Sequence, residues 1–341
     1  MKKIAIEEHF FTQNYIDYQR SKTGMVSEVA SKERMKKGKL EKFENVVARP
    51  GEIEECLDVD NKRLKTMDAA GIDIQVLSFS SPGTEGMDNT EDATAMAKQT
   101  NDELAKIIKR HPGRYSGFAT IAAQDPGNAA RELKRAVKDL GLVGVKINSH
   151  VQGEYLDDTK FWPIFEMAEK LEVPVYLHPR SPSPDLIKPY LKYPILATAV
   201  WGFAAETGLH AMRLICSGLF DKYPGLQIIL GHLGEGFPFW MWRMDDHRWD
   251  EAGVPDPLTP KIANKISYYV KNNFFATTSG NFWMPAFLCA YFALGADRIM
   301  FAVDYPMESS KHATALIENA PICDLDKEKI FHLNAEKLLR I

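Results

Sequence analysis

The chain has 341 residues, 45% of them hydrophobic, enough to bury one large α/β core or two small ones. A formal charge of −4 leaves no basic footprint for a nucleic acid, and the longest apolar stretches fall short of the roughly eighteen residues that a membrane-spanning helix needs. Cys56, Cys216, Cys289 and Cys323 lack CxxC spacing, and the first residues run directly into a charged strand with no leader pattern, so the sequence predicts a cytoplasmic protein with free thiols.

Short β-branched runs alternate with helix-period segments along the chain. Strands are predicted over Lys3–Glu8, Ile72–Ser80, Gly117–Ala122, Val143–Ser149, Val173–His178, Gln227–Gly231, Phe274–Thr278 and Arg298–Asp304. Helices are predicted over Lys62–Ala70, Asp92–Arg110, Ala129–Leu140, Phe161–Lys170, Ala204–Leu214 and Met284–Leu294. Asp125-Pro126-Gly127 and Tyr223-Pro224-Gly225 punctuate as turns, and Asp157-Asp158-Thr159 supplies a cap ahead of Phe161-Trp162-Pro163. Strands that are mostly followed by helices imply a parallel sheet closed into a (β/α)8 TIM barrel, a single domain over residues 1–341. An open doubly wound sheet is the weaker choice, because no Gly-rich phosphate turn follows the first strand. Residues 12–55 and 179–203 break the repeat and read as βα-loop insertions; the first is either a lid or a plain surface excursion.

In a parallel barrel the functional residues sit where strands end. Strand one ends in Glu7-Glu8-His9, and residues two apart share a face, so Glu7 and His9 point together while Glu8 points away. Strand five ends at His178, strand six runs into His232, and strand eight ends at Asp304. Carboxylates and imidazoles with no sulfur suit zinc or manganese, with magnesium as a third choice, and a cation nearby would account for a buried Asp304. His111, His210, His247, His312 and His332 fall in helices or loops, as surface or capping histidines do; the roles of His150 and of Lys146 on strand four stay open.

These motifs resemble a known family. Glu7-x-His9, Leu177-His178-Pro179, Leu230-Gly231-His232-x-Gly234-Glu235 and Asp304-x-Pro306 are similar to the amidohydrolase superfamily in its decarboxylase branch, which includes the γ-resorcylate, 2,3-dihydroxybenzoate and 5-carboxyvanillate decarboxylases. The likeness extends through Gly144–Asn148, Trp201-Gly202-Phe203-Ala204, Met241-Trp242-Arg243, Thr277–Phe282 and Asn334-Ala335. It implies that Glu7, His9, His178 and Asp304 hold one divalent metal ion, with His232 and Glu235 beside it. It implies also that Asp304 delivers a proton, Arg243 meets the substrate carboxylate and Asn148 meets a ring substituent. The hydrolase branch has histidine where Glu7 stands, and that departure favours a decarboxylase; Lys146 would then not be a carboxylated bridging ligand. Phe10, Phe11, Trp201, Phe203 and Trp240 are aromatic residues near strand ends that could wall a flat ring. The turn after strand two, Phe79–Thr84, either helps set substrate choice or is only a turn. The implied protein is a metal-dependent, non-oxidative decarboxylase of a hydroxybenzoate-type acid, with a lactonase-like hydrolase as the alternative. It takes a small aromatic acid as its partner and forms a homodimer or homotetramer.

Overall fold

A computed structural model describes residues 1–23, 50–246 and 261–341. Eight strands overlap the spans that the sequence predicts: β1 (Ile4–Phe10), β2 (Ile74–Phe79), β3 (Tyr115–Gly117), β4 (Val145–Asn148), β5 (Val175–His178), β6 (Ile228–Leu230), β7 (Phe274–Thr277) and β8 (Ile299–Met300). All pair in parallel, in the orders β1-β2-β3 and β4-β5-β6-β7-β8. Single bridges between Ala119 and Val145, and between Glu8 and Tyr305, join the two sheets at both seams and close the barrel.

Helices α1 (Gln13–Thr23), α2 (Pro50–Leu57) and α3 (Lys62–Ala70) lie between β1 and β2. Then α4 (Thr90–Arg110), α5 (Pro126–Lys138), α6 (Trp162–Leu171) and α7 (Gly202–Cys216) follow β2 to β5 in turn. Beyond β6 come α8 (Phe237–Asp246) and α9 (Ile266–Asn273), and beyond β7 comes α10 (Met284–Leu294). The chain finishes with α11 (Ser310–Glu318) and α12 (Asn334–Leu339) after β8. Local chemistry sets the helix starts: Asn89 accepts from the Asp92 N–H at 2.8 Å, and Asp125 from the Asn128 N–H at 3.1 Å. Of the two insertions, residues 24–49 lie outside the described residues, while 179–203 contains short 3-10 turns at Lys188–Tyr190 and Pro194–Ala197.

Two strands are shorter or shifted relative to the sequence reading. Asn101 takes both backbone groups of Thr120, accepting from its N–H and donating to its carbonyl at 2.9 Å each, so the β3 ladder stops at Gly117. Past β8, the Thr278 hydroxyl brackets Ala302 in the same way, at 3.0 Å and 2.9 Å, and the Glu8 carboxylate accepts from the Val303 N–H at 2.9 Å.

Ile4, Ile6, Val76, Phe118, Tyr176, Ile229, Met300 and Ala302 fill the barrel interior, against Ala335 and Leu339 of α12. Ala5, Phe10, Leu77, Phe79, Ile147, Leu177 and Leu230 belong to the larger core between strands and helices. Strict alternation along β1 would send Glu8 inward after Ile4 and Ile6. The register forbids it: Ala5 pairs with Gln75 and Glu8 with Leu77, so β1 spends one residue more than β2 over that interval. This bulge turns Glu7 and His9 inward and Glu8 outward. Glu8 is buried all the same, accepting from Gln75 Nε2 at 2.9 Å. Arg63, also fully buried, donates to the carbonyl oxygens of His9 and Asp58 and to Gln75, and its guanidinium lies 4.5 Å from the centre of the Tyr305 ring. One cation behind the wall thus fastens the β1 end, the β8 exit and the chain leading out of the first insertion.

Candidate metal centre

Four strand ends bring Glu7, His9, His178 and Asp304 together, with one candidate ligand atom from each lying within 4.8 Å of all the others. His9 Nε2 is 2.9 Å from Asp304 Oδ1, and His178 Nε2 is 3.3 Å from Glu7 Oε1. The two imidazole rings meet edge to face with centroids 4.8 Å apart. Burial, with the Lys146 charge next in weight, lowers the pKa of both imidazoles, so they are neutral as metal ligands must be. Glu7 Oε1 is buried with no hydrogen-bond partner among the described residues, although the His178 nitrogen is at hand. A carboxylate oxygen without a hydrogen-bond partner and a nitrogen of a neutral imidazole held 3.3 Å apart are what a cation between them satisfies. Two nitrogens and two carboxylates therefore fit one divalent ion.

Side chains on the same interior face hold these groups. Tyr176, two residues before His178, donates its hydroxyl to Glu7 Oε2. Thr277 donates to the same oxygen at 3.3 Å and lies 2.8 Å from the Ser279 hydroxyl. Lys146 Nζ sits 3.2 Å from His9 Nδ1; burial above all brings its pKa down to about 8, against the opposing charges of Glu7, Glu85 and Asp304. Lys146 is not part of the four-residue cluster.

The loop after β6 carries the second functional pair. His232 Nδ1 is 2.7 Å from Glu235 Oε1, and His232 Nε2 is 3.9 Å from Asp304 Oδ2. Burial alone would deprotonate His232, but the charge and hydrogen bond of Glu235 and the nearby Asp304 carboxylate raise its pKa well above the ordinary imidazole value. Asp304 moves the other way: burial opposes its charge, but the neighbouring His232 and His9 imidazoles hold the carboxyl far below the usual range. His232, Leu233, Glu235 and Asp304 all take positive φ, between 50° and 77°, a conformation that costs a non-glycine residue on the order of 1–3 kcal/mol and clusters at functional sites. Gly280 makes room for this loop: at φ +61°, a Cβ there would lie 2.8 Å from His232 Cδ2.

The other sequence-predicted residues scatter. Asn148 is buried and pairs in register with His178, so their side chains share the interior face. Arg243 is exposed on the last turn of α8. Trp201 is 63% exposed ahead of α7, and Trp240 is 49% exposed on α8. Phe10 corrects the expectation of a ring contact: it shares Glu8's parity, points into the outer core and packs edge to face on Phe79 at 5.8 Å. Phe11 stacks on Tyr15 at 5.6 Å.

His210 is also corrected. It is fully buried, accepting from the Leu156 N–H at 2.9 Å with its other nitrogen 3.2 Å from Ser149 Oγ. His150 lies within 3.1 Å of the Ser181 carbonyl and accepts from the Gly153 N–H, a loop-bracing role away from the metal cluster. His247 lies outside the described residues. Sequence reasoning missed Tyr176, Thr277, Arg63 and Glu85. The period-two rule applied backward from His178 reaches Tyr176; nothing local marks Arg63 or Glu85.

A family model described as amidohydrolase matches residues 60–341. The chain belongs to the amidohydrolase family. Over 347 aligned residues it is 38% identical to the gamma-resorcylate decarboxylase of Polaromonas sp., covering 99% of this chain and 98% of that one. A dihydroxybenzoic acid decarboxylase from Polaromonas sp., solved with manganese and the inhibitor 2-nitroresorcinol, superposes with a TM-score of 0.86 at 38% identity, over 99% and 97% of the two chains. The 5-carboxyvanillate decarboxylase of Sphingomonas paucimobilis superposes with a TM-score of 0.90 at 35% identity, over 100% and 99%. These amidohydrolase barrels are the same fold as this chain, and no helix among its described residues is long and apolar enough to cross a membrane.

The geometry makes the Tyr176 hydroxyl an orienting group for Glu7. Tyr176→Phe should weaken divalent-metal affinity by ~10–100-fold, the usual cost of losing a ligand's hydrogen-bond support. His178→Ala should leave little bound metal at the same ion concentration. Elemental analysis after equilibrium dialysis against manganese measures both; full occupancy in His178→Ala would remove His178 from the ligand set.

Proposed function

We propose that this chain is a manganese-dependent, non-oxidative decarboxylase of a hydroxybenzoate-type aromatic acid. The observation that carries the reading is the ligand set itself: Glu7 stands in the first place on β1, and Asp304 is shared between His9 and His232. The three relatives named above, each matched over nearly its whole length, bear decarboxylase names, which favours carbon–carbon cleavage over the lactonase alternative.

When bound, the divalent ion supplies Lewis-acid stabilisation of negative oxygen on the substrate. The protein's own residues handle the proton. At rest the proton is on His232, held by Glu235, and Asp304 is anionic. Passing that proton across the gap to Asp304 Oδ2 makes Asp304 the acid that adds a hydrogen to the ring carbon bearing the carboxylate. The ring loses aromaticity, the carbon–carboxylate bond breaks, its electron pair returns to the ring and CO2 leaves. Glu235, buried beside His232, stabilises the imidazolium and fixes its orientation. Arg243 and Asn148 are the proposed contacts to the substrate carboxylate and ring, with the exposed Trp201 a further proposed contact.

We propose further that the chain forms a closed homodimer or homotetramer. Trp242, Phe239, Trp283 and Phe292 are each at least 67% exposed, an apolar surface that association would cover.

Metal-loaded protein should release CO2 from 2,6-dihydroxybenzoate, and Asp304→Asn should lower kcat by about 10²–10⁴-fold, the range expected for loss of a general acid. Unchanged turnover in Asp304→Asn, or lactone opening without CO2 release, would contradict the reading. Light scattering should return a solution mass of at least twice the 38.5 kDa of one chain; a monomer would contradict the proposed assembly.

A further inference from the structure

The turn after β2 places a buried carboxylate against Asn148. Glu85, in the 3-10 turn Thr84–Gly86, is fully buried. Its Oε1 accepts from the Asn148 backbone N–H at 2.9 Å, and its Oε2 accepts from the Asn148 side-chain Nδ2 at 3.1 Å. The turn is itself immobilised. Thr84 Oγ1 donates to the Ile121 carbonyl at 2.7 Å, and Gln124 Nε2 donates to the Thr84 and Met87 carbonyls at 2.7 Å and 3.0 Å. Space is reserved for the pair. Gly83 sits at φ +65°, and a Cβ there would clash with Asn148 Nδ2 and lie 2.5 Å from Glu85 Oε2.

These contacts determine which end of the Asn148 amide is spoken for. The nitrogen is committed to Glu85, so the oxygen is left on the opposite edge of the planar group. Asn148 Oδ1 is buried and has no hydrogen-bond partner among the described residues. A buried acceptor without a donor is costly, and it occurs here on the face shared with His178, across the β4–β5 register. A ligand that brings a hydroxyl completes it; a ligand that brings only an acceptor does not.

We propose that Glu85 is a specificity-determining positioning residue: by holding the Asn148 amide nitrogen, it presents Asn148 Oδ1 as an acceptor that selects aromatic acids carrying a second ring hydroxyl. The inference rests on the decarboxylase reading above and adds the polarity of the ring contact and the residue that sets it. Glu85 acts through Asn148, and no contact between Glu85 and the substrate is required.

Glu85→Gln tests it with almost no change in shape. The glutamine oxygen must stay with the Asn148 backbone N–H, which cannot turn, and so its NH2 faces the Asn148 side chain. Asn148 relieves the donor–donor clash by rotating its amide, which exposes Nδ2 where Oδ1 had been. The readout is the ratio of kcat/KM for 2,6-dihydroxybenzoate to that for 2-hydroxy-6-methoxybenzoate in the manganese-loaded full chain. Dissociation constants for 2-nitroresorcinol and its mono-O-methyl ether give the same ratio without catalysis.

Wild type should favour the hydroxyl member by on the order of 10-fold or more, as a site built to bind a hydroxyl does. Glu85→Gln should erase or invert that ratio. Asn148→Ala, which removes the acceptor while the backbone N–H at position 148 still holds Glu85 Oε1, should erase it too, and the double variant should lie no further than either single one. An unchanged ratio in Glu85→Gln, with both rates falling together, would reduce Glu85 to a brace and overturn the proposal, as would a preference surviving in Asn148→Ala. A wild type that neither binds nor turns over any of the four compounds would overturn the decarboxylase reading, and this inference with it.

Discussion

In a parallel strand, alternate side chains enter the barrel, so Ile4 and Ile6 would be followed inward by Glu8. The extra residue that β1 carries between Ala5 and Glu8 breaks the alternation and delivers Glu7 and His9 instead. Every other feature of the site is arranged around that choice. Tyr176 and Thr277 meet Glu7 from β5 and β7; Lys146 meets His9 from β4; Asp304 meets it from the exit of β8. The displaced Glu8 is put to use on the outside of the wall, where Gln75 and the Val303 N–H hold it and where Arg63 supplies a buried counter-charge. The same bulge therefore makes the ligand pair and helps to seal the β8–β1 seam that brings Asp304 within reach.

Gathering Glu7, Asp304, Glu235, His9, His178, His232 and Lys146 in the dry end of a barrel is expensive unless their charges are matched. Part of the matching is internal. His232 carries the proton that Glu235 and Asp304 call for, while His9 and His178 are kept neutral by burial and by the Lys146 charge. What is left over is specific: a buried Glu7 oxygen without a hydrogen bond, 3.3 Å from a nitrogen of the neutral His178 ring. A divalent ion resolves that remainder, so metal binding and stability of the strand ends are coupled.

Much of this was legible in the sequence, for identifiable reasons. The eight strands announce themselves through β-branched runs and turn residues, and the ligand residues through their position at the ends of those runs. The two-residue spacing of Glu7 and His9 predicts a shared face, and it holds because the extra residue falls within Ile6–Glu7 and leaves the alternation from Glu7 onward intact. The bulge itself left no sequence signal. Phe10 was misplaced for a related reason: proximity to a strand end says nothing about which face a side chain takes, and its parity with Glu8 sends it into the outer core. The retreat of β3 and β8 from the predicted spans came from side chains, Asn101 and Thr278, that capture backbone groups from a distance in sequence. Glu85 and Arg63 escaped notice because their meaning depends on contacts 63 and 54 residues away in the chain.

The chemistry of the site depends on one ion at one place. Diffraction from crystals grown with manganese, with data collected at the manganese absorption edge, should give a single anomalous peak per chain, bounded by Glu7, His9, His178 and Asp304. A peak elsewhere, or a second ion of equal strength bridged by Lys146, would contradict the mononuclear centre from which the proton chemistry has been built.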